Sequence, residues 1–189
     1  MLYKIVRPFV KLFVRLCFHP KIINAENIPP SGPVILAGNH TSNFDALLLM
    51  STTKRPISFL GKHTLPRFFV RYLHVIPVDR TKSRNPEALR LAREVLKEDN
   101  IVGIFPEGTI NRTAELTMPF KMGAVSLAAK NSAPLVPFII TGKYALLKGN
   151  LKIKFLSPRQ IMKDDIQYEN ARLMADIGSI IEREKNENN

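Results

Sequence analysis

Apolar and polar positions along the chain fall into two repeating patterns. Short, almost wholly apolar runs bounded by Gly, Pro or polar residues occur at 33–38, 56–60, Val75–Val78, 101–105 and Leu135–Thr141. Runs of this length and composition read as buried strands. A further run, 151–155, alternates Leu-Lys-Ile-Lys-Phe and reads as a half-exposed strand. Between them lie stretches whose apolar residues recur three and four apart, the signature of helices: 46–51, 66–73, Pro86–Lys97, 120–130 and 164–185. Pro86 at a helix start and Glu87 in its first turn match helix preferences, and Leu89, Val95 and Leu96 are its expected buried side. Pro137 inside its run points to an edge position or an irregularity. Residues 19–32, with the turn signal Pro29-Pro30-Ser31-Gly32, read as a connector. Alternating strands and helices predict an α/β fold, a central, mostly apolar mixed sheet flanked by helices.

The first element differs in kind. In Leu2–Phe18, Lys4, Arg7, Lys11 and Arg15 fall on one helical stripe, while Leu2, Ile5, Phe9, Leu12, Phe13 and Leu16 cover much of the rest. A membrane-spanning helix needs about 20 mostly apolar residues without such charges. A signal peptide needs an uninterrupted apolar core, which these charges break. The pattern predicts an amphipathic interfacial helix over residues 1–19, its basic stripe towards lipid headgroups. Near an anionic membrane surface each Lys or Arg contributes about 1 kcal/mol. Pro8 is expected to bend this helix or delay its start. The competing reading docks the helix on the protein's own core. Residues 20–189 are then a single domain, long enough for a sizeable core.

Composition narrows the class of partner. The net charge is +12, and between Lys54 and Arg93 ten Lys or Arg stand against two acids. Such a field attracts an anionic partner: nucleic acid, anionic lipid, a phosphorylated substrate or an acidic protein. Nucleic acid is the poorest fit, because no aromatic-interleaved basic strand or recognition helix is present. Cys17 is the only cysteine, so no internal disulfide forms. Four scattered His and one Cys make no metal-ligand cluster, and no cofactor is expected.

The candidate chemistry centres on Asn39-His40-Thr41-Ser42-Asn43-Phe44-Asp45, immediately after the first apolar strand. Ligand sites of open α/β sheets lie at strand carboxyl ends. Residues five apart on a regular helix do not share a face, so the chain must bend for Asp45 to meet His40. Thr41, Ser42 and Asn43 are residue types that cap a helix start. An imidazole held by a carboxylate has a fixed tautomer and a stabilised imidazolium, the requirements of a general base. No serine or cysteine nucleophile is obviously tied to the pair, so its simplest use is deprotonation of a substrate hydroxyl.

Further motifs follow in order: Gly61-Lys62, Ile76-Pro77-Val78-Asp79-Arg80, Phe105-Pro106-Glu107-Gly108-Thr109 with Arg112, Phe120-Lys121-Met122-Gly123-Ala124, and Leu135-Val136-Pro137-Phe138. With the His40 motif, the set from about Ile28 to Phe155 resembles the glycerolipid acyltransferase family, most closely its bacterial 1-acylglycerol-3-phosphate acyltransferases. Where the family usually has a glycine, this chain has His74. The resemblance implies that Arg80 contacts the acceptor phosphate and that Glu107, Gly108 and Thr109 bind the acceptor. Lys62, Arg112 and Lys121 are further phosphate candidates. Glu107 is expected to orient a lysine or arginine, or to take a hydrogen bond from the acceptor glycerol.

The reaction expected is acyl transfer to the 2-hydroxyl of 1-acylglycerol 3-phosphate (lysophosphatidic acid), giving phosphatidic acid. The donor is expected to be acyl-CoA or an acyl carrier protein. The place is expected to be the cytoplasmic face of the cell membrane, peripheral or monotopic on its anionic surface. Two alternatives stand beside it: another acceptor, glycerol 3-phosphate or a different lysophospholipid, and a non-catalytic basic membrane-surface binding protein.

Overall fold

The apolar runs become the interior of one sheet. In the computed structural model, which describes residues 2–62, 74–79, 85–147 and 149–187, they form β2 (Val34–Gly38), β3 (Ile57–Lys62), β4 (Val75–Val78), β5 (Ile101–Ile104) and β6 (Leu135–Thr141). The alternating run forms β7 (Lys152–Phe155), with Ile153 and Phe155 buried and the two lysines half-exposed. A short strand, β1 (Lys21–Ile23), completes a seven-stranded sheet in the order β1-β7-β6-β2-β5-β3-β4. Every pairing is parallel except β6 with β7.

Among the described residues five helices cover the sheet: α1 (Leu2–Phe18), α2 (Asp45–Thr52), α3 (Pro86–Lys97), α4 (Gly123–Asn131) and α5 (Ile166–Glu187). Side chains alternate across the sheet along β2. Val34 and Leu36 pack with Tyr3, Val14 and Phe18 of α1 and Leu48 and Leu49 of α2. Ile35 and Ala37 pack on the opposite face with Ala92 and Leu96 of α3, Val125 of α4 and Leu173 of α5. Both faces are covered, so the central strands are apolar at every position rather than at every second one.

Four expectations change. The connector at 19–32 contains β1, which pairs in parallel with the outer edge of β7, Lys21 opposite Lys152. Three residues are too few to show a period, so only the available edge defines this strand. Pro137 lies in an interior strand, between β2 and β7. Its carbonyl accepts the Leu156 N–H at 2.9 Å, beyond the last β6–β7 pair Phe138–Phe155. A residue's N–H and C=O point to the same side of a strand, so the missing donor falls in a break of this pairing, which resumes as an antiparallel bridge between Leu135 and Arg159; the irregularity read from the sequence is present and the edge position is not. The buried line of α3 is Ala88, Ala92 and Leu96, with Leu89 and Val95 half-buried. Alanines let this helix approach the sheet closely. The helix α1 begins at Leu2 with Pro8 inside it, so the proline does not delay its start. The helix expected at 66–73 lies outside the described residues.

Candidate active site

Parallel β6, β2, β5, β3 and β4 bring their carboxyl ends to one edge of the sheet, with β2 between β6 and β5. Gly38 ends β2 against β6, and a side chain there would come within 2.2 Å of the Phe138 carbonyl. The buried amide of Asn39 then donates to the Ile140 carbonyl and accepts the Ile140 N–H, both at 2.8 Å. This side chain extends the β2–β6 ladder by one pair and fixes the point where the main chain leaves the sheet.

His40 follows, and the next four residues curl around the carboxylate of Asp45, the first residue of α2. Asp45 is fully buried. Its Oδ2 receives His40 Nδ1 at 2.8 Å and the N–H groups of Thr41 and Ser42 at 2.6 and 2.9 Å. Its Oδ1 receives the hydroxyls of Thr41 at 3.1 Å and Tyr144 at 2.6 Å. The five-residue spacing works because this carboxylate organises the intervening loop. The capping side chains expected for α2 do not perform that role: its cap position is Phe44, and Ser42 Oγ accepts the Phe44 N–H instead.

Two backbone N–H groups can only donate, so Oδ2 acts as an acceptor and Nδ1 carries the imidazole hydrogen. Nε2 is left with its lone pair, a tautomer assigned from the hydrogen-bond partners. The ring stacks on Phe105, centroids 4.0 Å apart and planes 16° from parallel. The backbone of His40 is clamped as well: its N–H donates to Glu107 Oε1 and its carbonyl accepts the Asn111 N–H, each at 2.8 Å. The result is an imidazole that cannot rotate freely.

Glu107 is buried at the end of β5. Its other oxygen accepts the Met118 N–H at 2.8 Å. Among the described residues it meets backbone donors rather than a lysine or arginine, and so ties the His40 loop to the segment before α4. Burial pushes its carboxyl above the usual range, partly opposed by the Met118 and His40 N–H groups. Gly108 has φ +72°, a left-handed conformation that favours glycine. A Cβ there would lie 2.9 Å from Lys121 Nζ, so the glycine leaves the space that this lysine occupies. Thr109 and Arg112 are exposed just beyond, and Lys62 is exposed at the end of β3. Arg80 lies outside the described residues. The pairing of Lys62 with Val78 sets the position from which the chain continues towards it.

Three residues of this site carry no prediction from the sequence. Asn39 stands next to the histidine but has no distinguishing local signal. Phe105 sits in the Phe-Pro-Glu-Gly-Thr motif, yet its stacking requires β5 beside β2. Tyr144 is 99 residues from Asp45 and arrives on the segment after β6. Burial, then the nearby Asp45 charge, pushes its hydroxyl well above the usual tyrosine range, so it is a committed donor.

A polar cleft of about 350 Å³ adjoins His40 on the β6 side. Thr141, Asn150 and Lys152 form one wall and Ile181, Glu184 and Lys185 of α5 another. Lys62, Gly108, Thr109, Arg112 and Lys121 do not line it.

Comparison with known proteins agrees with this geometry. The family model described as Acyltransferase matches residues 19–141, more than half of the chain. A 1-acyl-sn-glycerol-3-phosphate acyltransferase of Bacillus subtilis (strain 168) is 33% identical over 162 residues, covering 80% of this chain and 79% of the relative. One from Borreliella burgdorferi is 37% identical over 122 residues, 61% of this chain and 48% of its own length. The crystal structure of the 1-acyl-sn-glycerophosphate acyltransferase PlsC from Thermotoga maritima shares the fold, with a TM-score of 0.71 at 22% identity, over 96% of this chain and 79% of that one. The match over residues 19–141, which contain the histidine and its carboxylate, together with the B. subtilis relative, establishes that this chain belongs to the acyltransferase family.

Proposed function

We propose that this protein transfers a fatty acyl group from a thioester to the 2-hydroxyl of 1-acylglycerol 3-phosphate, giving phosphatidic acid. The carrying observation is the buried Asp45 carboxylate holding His40 so that Nε2 keeps its lone pair. The names of the B. subtilis and B. burgdorferi relatives supply the acceptor.

In this reaction His40 Nε2 removes the hydroxyl proton as the oxygen attacks the thioester carbonyl carbon. A C–O bond forms. The tetrahedral intermediate collapses with cleavage of the C–S bond, and the thiolate leaves with the proton from His40. Asp45 stabilises the imidazolium between these steps. Because the histidine acts on the acceptor itself, the route needs no acyl-enzyme. The N–H groups of Thr41, Ser42 and Phe44 are already engaged within the loop, so the oxyanion draws its donors from elsewhere.

The acceptor phosphate is assigned to the other side of His40, against Lys62, Arg80, Lys121 and Arg112. Strands lie about 4.8 Å apart, so β3 and β4 stand about 10 and 14 Å from β2. Long basic side chains and a glycerol phosphate together span that gap. Paired hydrogen bonds from a guanidinium suit a phosphate. Thr109 and Glu107 keep their acceptor-binding assignment, Glu107 chiefly through the loop it ties down.

Among the described residues no helix is long and apolar enough to cross a membrane. The proposed membrane attachment is α1, on the cytoplasmic face, where acceptor and product are both amphiphiles.

The test is an acyl-transfer assay in detergent micelles, with labelled thioester offered to lysophosphatidate, glycerol 3-phosphate and a zwitterionic lysophospholipid. Phosphatidic acid formed from lysophosphatidate, with the highest kcat/KM of the three, is the expected result. Faster acylation of another acceptor would reassign the substrate. A folded protein that acylates none would return the binding-protein reading.

A further inference from the structure

We propose that the polar cleft on the β6 side of His40 binds the phosphopantetheine arm of the acyl donor, the chemical group shared by acyl-CoA and acyl carrier protein. This assignment rests on the proposed acyl transfer. It divides the site at His40, with the acceptor phosphate on the β3 and β4 side and the donor arm on the β6 and β7 side.

Position is the first argument. The cleft is lined at one end by Asn39, His40 and Thr41, so a chain threaded along it would present its terminal thioester to the imidazole. Its far wall is the end of α5, which packs on the sheet face opposite α1. With α1 as the membrane side, the cleft is reached from the aqueous side, where a soluble carrier arrives. Its volume of about 350 Å³ lies at the lower end of the range for small-molecule sites, in keeping with a thin chain.

Chemistry is the second argument. A pantetheine arm is mostly neutral, with two amides and a hydroxyl, and carries phosphate only at the end remote from sulfur. Hydroxyls and amides line the cleft: Thr141, the Asn150 amide, whose Oδ1 accepts the Lys143 N–H, and Thr113, whose hydroxyl donates to Asn111. The cleft's charged groups are largely matched among themselves. Glu107 takes two backbone N–H groups, and Lys152 pairs with Glu184. Lys143 and Lys185 are exposed at the rim and form no ion pair among the described residues, with Glu115 as the remaining acid. That balance suits one terminal phosphate on a neutral chain better than a compact, multiply charged headgroup.

The test combines kinetics and direct binding on the full chain in detergent micelles. Two variants address the cleft differently: Lys143→Glu with Lys185→Glu reverses the charge of the rim, and Thr113→Trp fills the passage from an exposed position. Either change should raise KM for palmitoyl-CoA and for palmitoyl acyl carrier protein by about tenfold or more, with KM for lysophosphatidate unchanged. Calorimetric titration with CoA should show binding to wild type that weakens by a similar factor in each variant. If Thr113→Trp fails to fold, the lysine pair still decides. An altered acceptor KM with an unchanged donor KM would overturn the proposal, as would CoA binding that neither variant affects. An effect confined to acyl carrier protein would also overturn it, placing the lysines on the carrier's surface rather than on the arm. Should wild type fail to acylate lysophosphatidate yet bind CoA in a cleft-dependent way, the proposed acceptor falls and the cleft assignment stands.

Discussion

Asp45 accepts five hydrogen bonds while buried, and only one of them comes from the base that it serves. The other four hold the carboxylate still and draw charge away from the histidine. Tyr144 is the most informative, because its phenol can lose one oxygen without altering the loop. In Tyr144→Phe the ring keeps its edge contact with Phe18, centroids 5.2 Å apart. Asp45 then loses one of the four bonds that hold it in place beside His40. In this variant kcat should fall about two- to tenfold with KM for both substrates little changed. A merely structural tyrosine would leave kcat in place and lower only the thermal stability. The same residues mark how far the sequence could be read. His40 and Asp45 were legible because a strand end, a short spacing and a following helix are all local. Tyr144 and Asn39 were not, since their partners Asp45 and Ile140 lie about a hundred residues away and meet them only once β6 pairs with β2. For Glu107 either a cationic partner or a bond from the acceptor glycerol was expected, and burial supplied backbone donors in place of the cation.

At the scale of elements, α1 docks on the protein's own core with one face and leaves an apolar stripe exposed on the other. Tyr3, Val14 and Phe18 are buried against α2 and the sheet, and Arg7 turns inward to donate to the Thr53 carbonyl. Ile5, Phe9, Leu12, Phe13 and Leu16 remain exposed, Phe9 at 68%, and fall three and four residues apart on one stripe. Such an exposed stripe on a docked helix is the surface proposed to meet the membrane. Replacing Phe9, Leu12 and Phe13 together by Asp should weaken binding to vesicles containing phosphatidylglycerol at least about a hundredfold, given about 1.5–3 kcal/mol for each large apolar side chain. Thermal stability should hardly change, because none of the three is in the core. Co-sedimentation equal to wild type would remove α1 as the membrane contact. Long, strongly patterned elements such as α1, α3 and the apolar strands were readable from periodicity, while β1 required knowledge of its neighbour.

The whole molecule places its chemistry by topology. Parallel β2, β5, β3 and β4 deliver a histidine loop, a glutamate turn and a basic strand end to one edge of the sheet. The antiparallel return of β7 beside β6 builds the cleft on the far side of the histidine. A charge of +12 over this frame suits anionic partners in general, and in the proposed reading geometry rather than net charge separates lipid, acceptor phosphate and donor phosphate. In the proposed mechanism all of these parts serve a single proton acceptor, His40. The most direct measurement is therefore the rate of phosphatidic acid formation from lysophosphatidate and acyl thioester at saturating substrates, for wild type and His40→Ala, with folding checked by circular dichroism. A general base of this kind contributes about 10²–10⁴-fold, so kcat should fall by that factor in a protein with unchanged fold and little-changed KM values. Turnover by His40→Ala within a few-fold of wild type would contradict the account.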